Sequence, residues 1–158
     1  DRVNKCGPGK KLRTYNTFKQ VIKYEPYLDF IENTEMRKFY SKFRLSAHEL
    51  EIERGRYGAK SIPAEKRICK VCDQNEVEDE IHFLMNCPRY AKERNDIFYD
   101  INRKYPSINN LQTSEKFIWL MSQEDKSTTL AIAYFLKIAN EIRNEELQKQ
   151  VISMKTKT

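Results

Sequence analysis

The chain has 158 residues and a formal net charge of +6, with 29 Lys and Arg residues against 23 Asp and Glu. That length allows one domain or two small ones with a modest buried core. No apolar run approaches the roughly 18 residues of a membrane span and no signal peptide is visible, so we expect no membrane partner. Four cysteines, three of them in one motif, indicate a reducing intracellular setting, and we expect the nucleus and cytoplasm. The chain begins at Asp1, which suggests a piece of a longer polypeptide.

The N-terminal part is predicted to be a flexible basic lead-in, residues 1–11, followed by helices and a basic loop over residues 12–66. A first amphipathic helix of about three turns is predicted from apolar residues at helical spacing, and Pro26 should end it. These apolar residues are Leu12, Tyr15, Phe18 and Ile22.

A second helix is predicted from the cap signal at Asn33 and Thr34, with Glu35 in the first turn, where the helix dipole favours an acid. His48 lies near the end of this helix, and we expect it to cap the helix or lie on the surface rather than bind metal. The buried stripe of the helix is predicted to consist of Met36, Phe39, Tyr40 and Phe43.

A basic loop follows, in which Gly55 and Gly58 predict a tight turn. Cations beside an aromatic residue, Tyr57, form a platform for phosphate contact and base stacking. The alternatives are a loop whose Tyr57 packs against the core and, for the cations of the first helix, a solvated helix face. The predicted nucleic-acid contacts are Lys10, Lys11, Arg13, Arg54, Arg56, Tyr57, Lys60, Lys66 and Arg67.

Residues 67–90 contain Cys69, Cys72, His82 and Cys87, spaced C-x2-C-x9-H-x4-C. Three thiolates and one imidazole suit a closed tetrahedral Zn2+ site, and with four protein ligands the role of the zinc is structural. The alternatives are a disulfide framework, which needs a secretory context, a redox C-x-x-C, which needs a βαβ setting, and four unlinked core residues.

The fold is predicted to be all-α, a small helical bundle organised around this zinc module. A short hairpin at the first cysteine pair is the only β structure expected, and residues 77–86 should form a short helix that carries His82 and ends at Cys87. The C-terminal helices, residues 91–150, are predicted over 88–104 with Pro88 at the entry, over 114–121 with Thr113 or Ser114 as cap, and over 127–148 as the central helix. Residues 151–158 are predicted to be a frayed tail.

Charge is unevenly distributed along the chain. Residues 1–68 carry 16 Lys and Arg against nine Asp and Glu, whereas residues 69–88 carry one Lys against five acids. The metal motif is therefore acidic across Glu76, Glu78, Asp79 and Glu80. A polyanion would have to be bound by the N-terminal half, with the metal site holding that half in place.

Catalytic motifs are not visible in the sequence. It contains no G-x-S-x-G, P-loop, G-x-G-x-x-G or H-E-x-x-H pattern and no paired aspartates of a polymerase site. We therefore expect no catalysis within this chain and no small-molecule substrate.

Four segments in order resemble the C-terminal region of non-LTR (LINE-type) retrotransposon reverse transcriptases: LRTYNTFKQ, EPYL, KFRLSAHELEIERGRYG and RICKVC…VEDEIHFLMNCPRY. The most specific part combines the E-x-G-R-Y segment with the C-x2-C…H-x4-C set. The resemblance implies a non-catalytic segment that grips template RNA or target DNA during target-primed reverse transcription. It also implies that polymerase and endonuclease activities lie elsewhere in the parent polypeptide.

Two hypotheses of different classes follow. In the first, the chain is a zinc-stabilised RNA- or DNA-binding segment that works with the remainder of a reverse transcriptase. In the second, it is a zinc-stabilised protein-docking domain whose acidic motif contacts a basic partner or the rest of its own polypeptide. Salt separates the two, because binding to nucleic acid weakens steeply as the salt concentration rises.

Overall fold

The structure, a computed structural model, describes residues 12–57 and 60–156, and these form helices joined by turns and loops. The predicted all-α class is confirmed: the only β pairing in the described ranges is an isolated bridge between Ile68 and Val77. Short 3-10 turns cover Ala64–Lys66, Pro88–Tyr90 and Pro106–Asn110, and a π-helical turn covers His82–Asn86. The α-helices are α1 Tyr15–Phe18, α2 Tyr27–Phe30, α3 Thr34–Arg44, α4 Glu51–Arg54, α5 Ala91–Lys104, α6 Thr113–Met121 and α7 Lys126–Lys155.

The first helix is much shorter than predicted. The backbone leaves the helical conformation at Lys19, after a single turn, and Ile22 is 97% exposed rather than part of a buried stripe. The Lys19 amine lies 2.9 Å from the carboxylate of Glu25, which closes the intervening residues into a loop. Pro26 does not end the first helix but precedes α2, where its fixed φ suits a helix start.

Helix α3 begins and packs as predicted. The side chain of Asn33 accepts a hydrogen bond from the Met36 backbone N–H at 2.9 Å, which satisfies one of the free donors of the first turn. Tyr40 and Phe43 are fully buried, and Met36 and Phe39 pack against the same core at its edge. The chain turns away at Ser46, which has a left-handed φ of 50°.

Helix α7 lies at the centre of the bundle, as predicted, and packs against α2, α3 and α5. It begins after Asp125, whose side chain accepts from the Thr128 N–H at 3.1 Å. It does not end near residue 148 but continues to Lys155, through most of the predicted tail. No Gly or Pro interrupts the sequence between Asp125 and Lys155, so the helix has no local reason to stop earlier.

Helices α5 and α6 match their predicted positions closely, whereas the single helical turns α2 and α4 were not predicted. A 3-10 turn starting at Pro88 leads into α5, and α6 starts at Thr113. The cap of α6 is Gln112 rather than Thr113 or Ser114: the Gln112 backbone N–H donates to the Glu115 carboxylate at 2.9 Å.

One hydrophobic core draws side chains from both sides of the metal motif. Ile31 and Phe43 come from the N-terminal part, Phe83 from the motif, and Leu120 and Leu136 from the C-terminal helices. Within the described residues, no helix combines the length and apolarity needed to cross a bilayer. The metal motif therefore sits against a core that both halves of the chain share.

Candidate metal centre

The first two cysteines are presented by a short hairpin, as predicted. Ile68 and Val77 form an antiparallel bridge, and the Cys69 N–H donates to the Glu76 carbonyl at 2.8 Å. The turn between these residues contains Asn75 at a φ of 53°, a left-handed conformation that Asn tolerates better than most residues. The hairpin fixes the backbone on both sides of the Cys69–Cys72 turn.

The other two ligands come from a π-helical turn over His82–Asn86, with Cys87 directly after it. The Cys87 N–H donates to the His82 carbonyl at 2.7 Å, so the turn closes between the two ligands. The predicted helix over 77–86 ends at the right residue but starts too early, because Val77 belongs to the hairpin. The Asp79 carboxylate accepts from the His82 N–H at 2.8 Å and marks the start of the turn instead.

The ligand atoms of Cys69, Cys72, His82 and Cys87 all lie within 4.8 Å of one another. In a tetrahedral site with metal–sulfur bonds of about 2.3 Å and metal–nitrogen bonds of about 2.0 Å, ligand atoms are roughly 3.5–3.8 Å apart. The Cys72 Sγ and His82 Nε2 atoms are 3.4 Å apart, close to that value. The three cysteines are free thiols, which rules out the disulfide alternative among them. This group can therefore hold a metal ion with only small adjustments.

The imidazole of His82 is oriented by a carboxylate. Its Nδ1 lies 2.9 Å from Glu76 Oε2, while its Nε2 faces Cys72. A neutral His82 that donates from Nδ1 to Glu76 leaves the Nε2 lone pair for a metal, an arrangement common to metal-bound histidines. Glu76 is thus a positioning residue for the site.

The pKa values of two of the thiols, Cys69 and Cys72, are raised in the absence of a cation. A hydrogen bond with Cys87 and burial raise the pKa of Cys69 well above its usual range, and burial raises the pKa of Cys72. A divalent ion reverses this preference, because it stabilises the thiolate directly. Metal binding at this site therefore releases protons and gains its free energy only when the hairpin and the π-turn are both in place.

Two glutamates of the motif are buried in ion pairs rather than exposed as an acidic face. Glu78 lies against Arg143 of α7, with both N–O distances at 2.8 Å, and it also accepts from the Glu51 backbone N–H at 2.8 Å. Arg143 is only 1% exposed. The acidic face predicted from the sequence is therefore corrected at Glu78: this charge binds α7 of the same chain.

Glu80 binds the N-terminal part of the chain. Its carboxylate accepts from Arg13 at 2.6 Å and from Ser46 at 2.8 Å, and it lies 2.8 Å from His48 Nε2. Burial opposes its ionisation, but His48 and Arg13 outweigh this and lower the pKa of Glu80 to about 2. His48 is buried, so of the two roles predicted for it, helix cap or surface residue, the surface role is wrong. Its Nδ1 accepts from the Leu50 N–H at 3.3 Å.

Arg67 connects the basic loop to the hairpin that presents Cys69 and Cys72, here called the metal hairpin. It is buried, and it donates to the backbone carbonyls of Ile52 at 2.6 Å and Ile62 at 2.8 Å. Gly55 makes this possible, because a Cβ at that position would lie 2.7 Å from the Arg67 side chain. Arg67, two residues before Cys69, thus holds both ends of the loop and has no exposed guanidinium to offer a phosphate.

The other residues predicted to contact nucleic acid fall into three groups. Lys10 and Lys11 lie outside the described residues. Arg13 and Arg56 form ion pairs with Glu53, so their charges are largely used within the fold. The exposed members are Arg54, Tyr57, Lys60 and Lys66.

The exposed members lie on one short stretch next to the metal hairpin. The side chain of Arg54 is 50% exposed, and its nearest carboxylate, that of Glu51, is 3.7 Å away. Tyr57 is 62% exposed, so the alternative in which its ring packs into the core is wrong. The loop therefore exposes three cations and one aromatic ring, together with the carboxylate of Glu65.

Arg143 is the residue that sequence reasoning missed. It lies four residues after Ala139 on the buried face of α7, in line with Leu136 and Ile132. A single arginine on an otherwise apolar helix stripe was the available signal, because a buried cation requires an acidic partner. The partner, Glu78, is 65 residues away in the chain.

We compared the chain with protein-family models, with curated proteins and with solved structures, and none of the three comparisons found a match.

Proposed function

We propose that Cys69, Cys72, His82 and Cys87 bind one structural Zn2+ ion. Three thiolates and an imidazole form a soft donor set that suits zinc better than Mg2+ or Ca2+, which prefer oxygen ligands. Four protein ligands fill a tetrahedral shell, so the ion would contribute folding free energy rather than activate water. Native mass spectrometry of the chain should find one bound zinc, and elemental analysis should find the same stoichiometry.

The proposed function is nucleic-acid binding by the exposed loop beside this centre. The observation that carries it is the loop itself: Arg54, Tyr57, Lys60 and Lys66 are exposed on it, whereas Glu51 and Glu53 are buried and Glu65 is its exposed carboxylate. Cations supply phosphate contacts, and an exposed ring supplies a surface on which a base can stack. Arg67 holds this loop on the metal hairpin, so the zinc would act by ordering the contact surface.

The wider setting we propose rests on the sequence resemblance alone. The chain would be a non-catalytic C-terminal segment of a LINE-type reverse transcriptase that grips template RNA or target DNA during target-primed reverse transcription. Its partners would be RNA or DNA and the remainder of that polypeptide, in the nucleus and cytoplasm. Polymerase and endonuclease activities would lie outside residues 1–158.

A charge-matched pair of variants tests the loop. Replacing Arg54, Lys60 and Lys66 with Ala should raise the Kd for a labelled RNA hairpin by tenfold or more, measured by fluorescence anisotropy at low salt. The control variant loses the same charge at three exposed lysines elsewhere and should bind nearly as the wild type does. Equal weakening in both variants would mean that net charge, not the loop, governs binding. The control positions are Lys38, Lys92 and Lys126.

A second candidate is protein docking, favoured by the last turns of α7. Val151, Ile152 and Met154 are exposed there, and shallow grooves run along the helix beside them. An apolar docking surface would respond to salt much less than phosphate contacts do. Binding that persists unchanged at high salt would favour this candidate.

A further inference from the structure

A cavity of about 210 Å³ opens beside the exposed loop. It is lined by residues 46–49, which follow α3, and by Glu53, Arg54 and Tyr57. The cavity is smaller than the roughly 300–1,000 Å³ of pockets that hold whole drug-sized ligands. Its size therefore suits one small group, such as a single ring system, rather than a peptide or a cofactor.

The floor of the cavity is fixed before any ligand arrives. Ser46 and His48 are buried, and both bond to the carboxylate of Glu80 at 2.8 Å. Glu80 in turn accepts from Arg13 at 2.6 Å. A ligand would therefore enter a preformed site and would pay little to order these residues.

The charges around the cavity favour a neutral group inside it and an anionic group near its opening. Glu49 and Glu53 both line it, and because Arg13 and Arg56 pair with Glu53, the repulsion of an anion inside would come from Glu49. Arg54 lies at the same site with half of its side chain exposed, next to the exposed ring of Tyr57. A neutral ring can therefore occupy the cavity while a linked phosphate stays near the cation.

We propose that this cavity binds one unpaired nucleobase, with Tyr57 stacking on the base and Arg54 contacting the adjoining phosphate. The inference rests on the nucleic-acid binding proposed above and adds a preference for single-stranded or extruded nucleotides, since a base that is paired and stacked in a duplex cannot enter a recess of this kind. A base with an exocyclic amino group fits best, because Glu49 is an acceptor at the cavity. Cytosine is such a base, and carboxylates are known to accept from its amino group.

The test compares two ten-nucleotide single strands, one of cytidines and one abasic, which share phosphates and differ in their bases. Zinc-loaded wild-type chain should bind the cytidine strand about tenfold more tightly, the scale expected for one stacked base. Tyr57→Ala should abolish this ratio, whereas Tyr57→Phe, which keeps the ring, should retain it. Tyr99→Ala removes a similarly exposed tyrosine from α5, which is not among the residues that line the cavity, and should leave the ratio unchanged.

The outcomes distinguish this inference from the function on which it rests. Equal, salt-sensitive binding of both strands by the wild type would overturn the nucleobase cavity and leave phosphate binding intact. A loss of the ratio in Tyr99→Ala as large as in Tyr57→Ala would also overturn it. Absence of binding to either strand at low salt would overturn the proposed function, and the cavity assignment with it.

Discussion

The ion pair between Arg143 and Glu78 should be one of the most sensitive points of the fold. Both side chains are buried, and two hydrogen bonds of 2.8 Å join them. Arg143→Met keeps an apolar body in the space but leaves the Glu78 carboxylate buried without its cation. Removing one partner of such a pair costs about 3–5 kcal/mol, mostly because of the uncompensated charge. We expect Arg143→Met to lower the free energy of unfolding by that amount.

The assay is urea unfolding of the metal-loaded chain, followed by the fluorescence of Trp119, the only tryptophan. The double variant Arg143→Met/Glu78→Gln carries no unpaired charge at this place and should be more stable than Arg143→Met alone. Arg103→Met makes the same substitution at an exposed site of α5 and should change stability by no more than about 0.5 kcal/mol. A single variant as stable as the wild type, or a double variant that loses the full sum of both single losses, would refute the argument.

Three further results are expected. Cys72→Ser should lose the metal, measured by elemental analysis, and should melt at a lower temperature, because structural metal binding contributes folding free energy. Gly55→Ala should lower the free energy of unfolding by about 1–3 kcal/mol in urea, since its Cβ would lie 2.7 Å from the Arg67 side chain. Asp125→Ala should cost about 1 kcal/mol at pH 7 through loss of the α7 cap. Burial raises the pKa of Asp125, but hydrogen bonds from Lys104, Thr128 and Ser127 outweigh it and hold that pKa well below its usual range. The difference in the free energy of unfolding between Asp125→Ala and the wild type should therefore shrink as the pH falls below about 4.

Each of these expectations has a control. Cys6→Ser removes the cysteine outside the motif and should keep the metal. Equal metal loss in Cys6→Ser and Cys72→Ser would contradict the assignment of the four ligands. The control for Gly55→Ala is Ser61→Ala, which adds no atoms at an exposed loop position and should leave the free energy of unfolding unchanged. For Asp125→Ala, a stability difference that stays constant from pH 7 to pH 2 would contradict the assigned charge.

What the sequence predicted well depends on residues close together in the chain. The C-x2-C…H-x4-C spacing carries the ligand set within residues 69–87, and the structure brings these four side chains together. The cap at Asn33 and the apolar stripe of α3 are likewise local patterns. The first helix failed because a pattern of period 3.6 can be met by chance: the Lys19–Glu25 pair and an exposed Ile22 favour a loop instead.

What the sequence did not predict depends on distant partners. In the sequence, Arg67 could not be distinguished from the exposed cations Lys60 and Lys66. In the structure its side chain packs against Gly55 and donates to two backbone carbonyls. Glu78 looked like part of an acidic surface, yet its partner lies on the last helix. A sequence shows which charged residues are present. Whether a charged side chain faces solvent or forms a buried ion pair depends on the tertiary fold.

The most direct test of the account is the salt dependence of binding by the zinc-loaded wild-type chain. Its Kd for a labelled RNA hairpin and for duplex DNA would be measured across a salt series, with zinc content determined on the same sample. Phosphate contacts from Arg54, Lys60 and Lys66 predict that the logarithm of the association constant falls against the logarithm of salt with a slope of about −2 to −3. One zinc per chain together with a slope near zero, or with no binding to either nucleic acid, would contradict the proposed function.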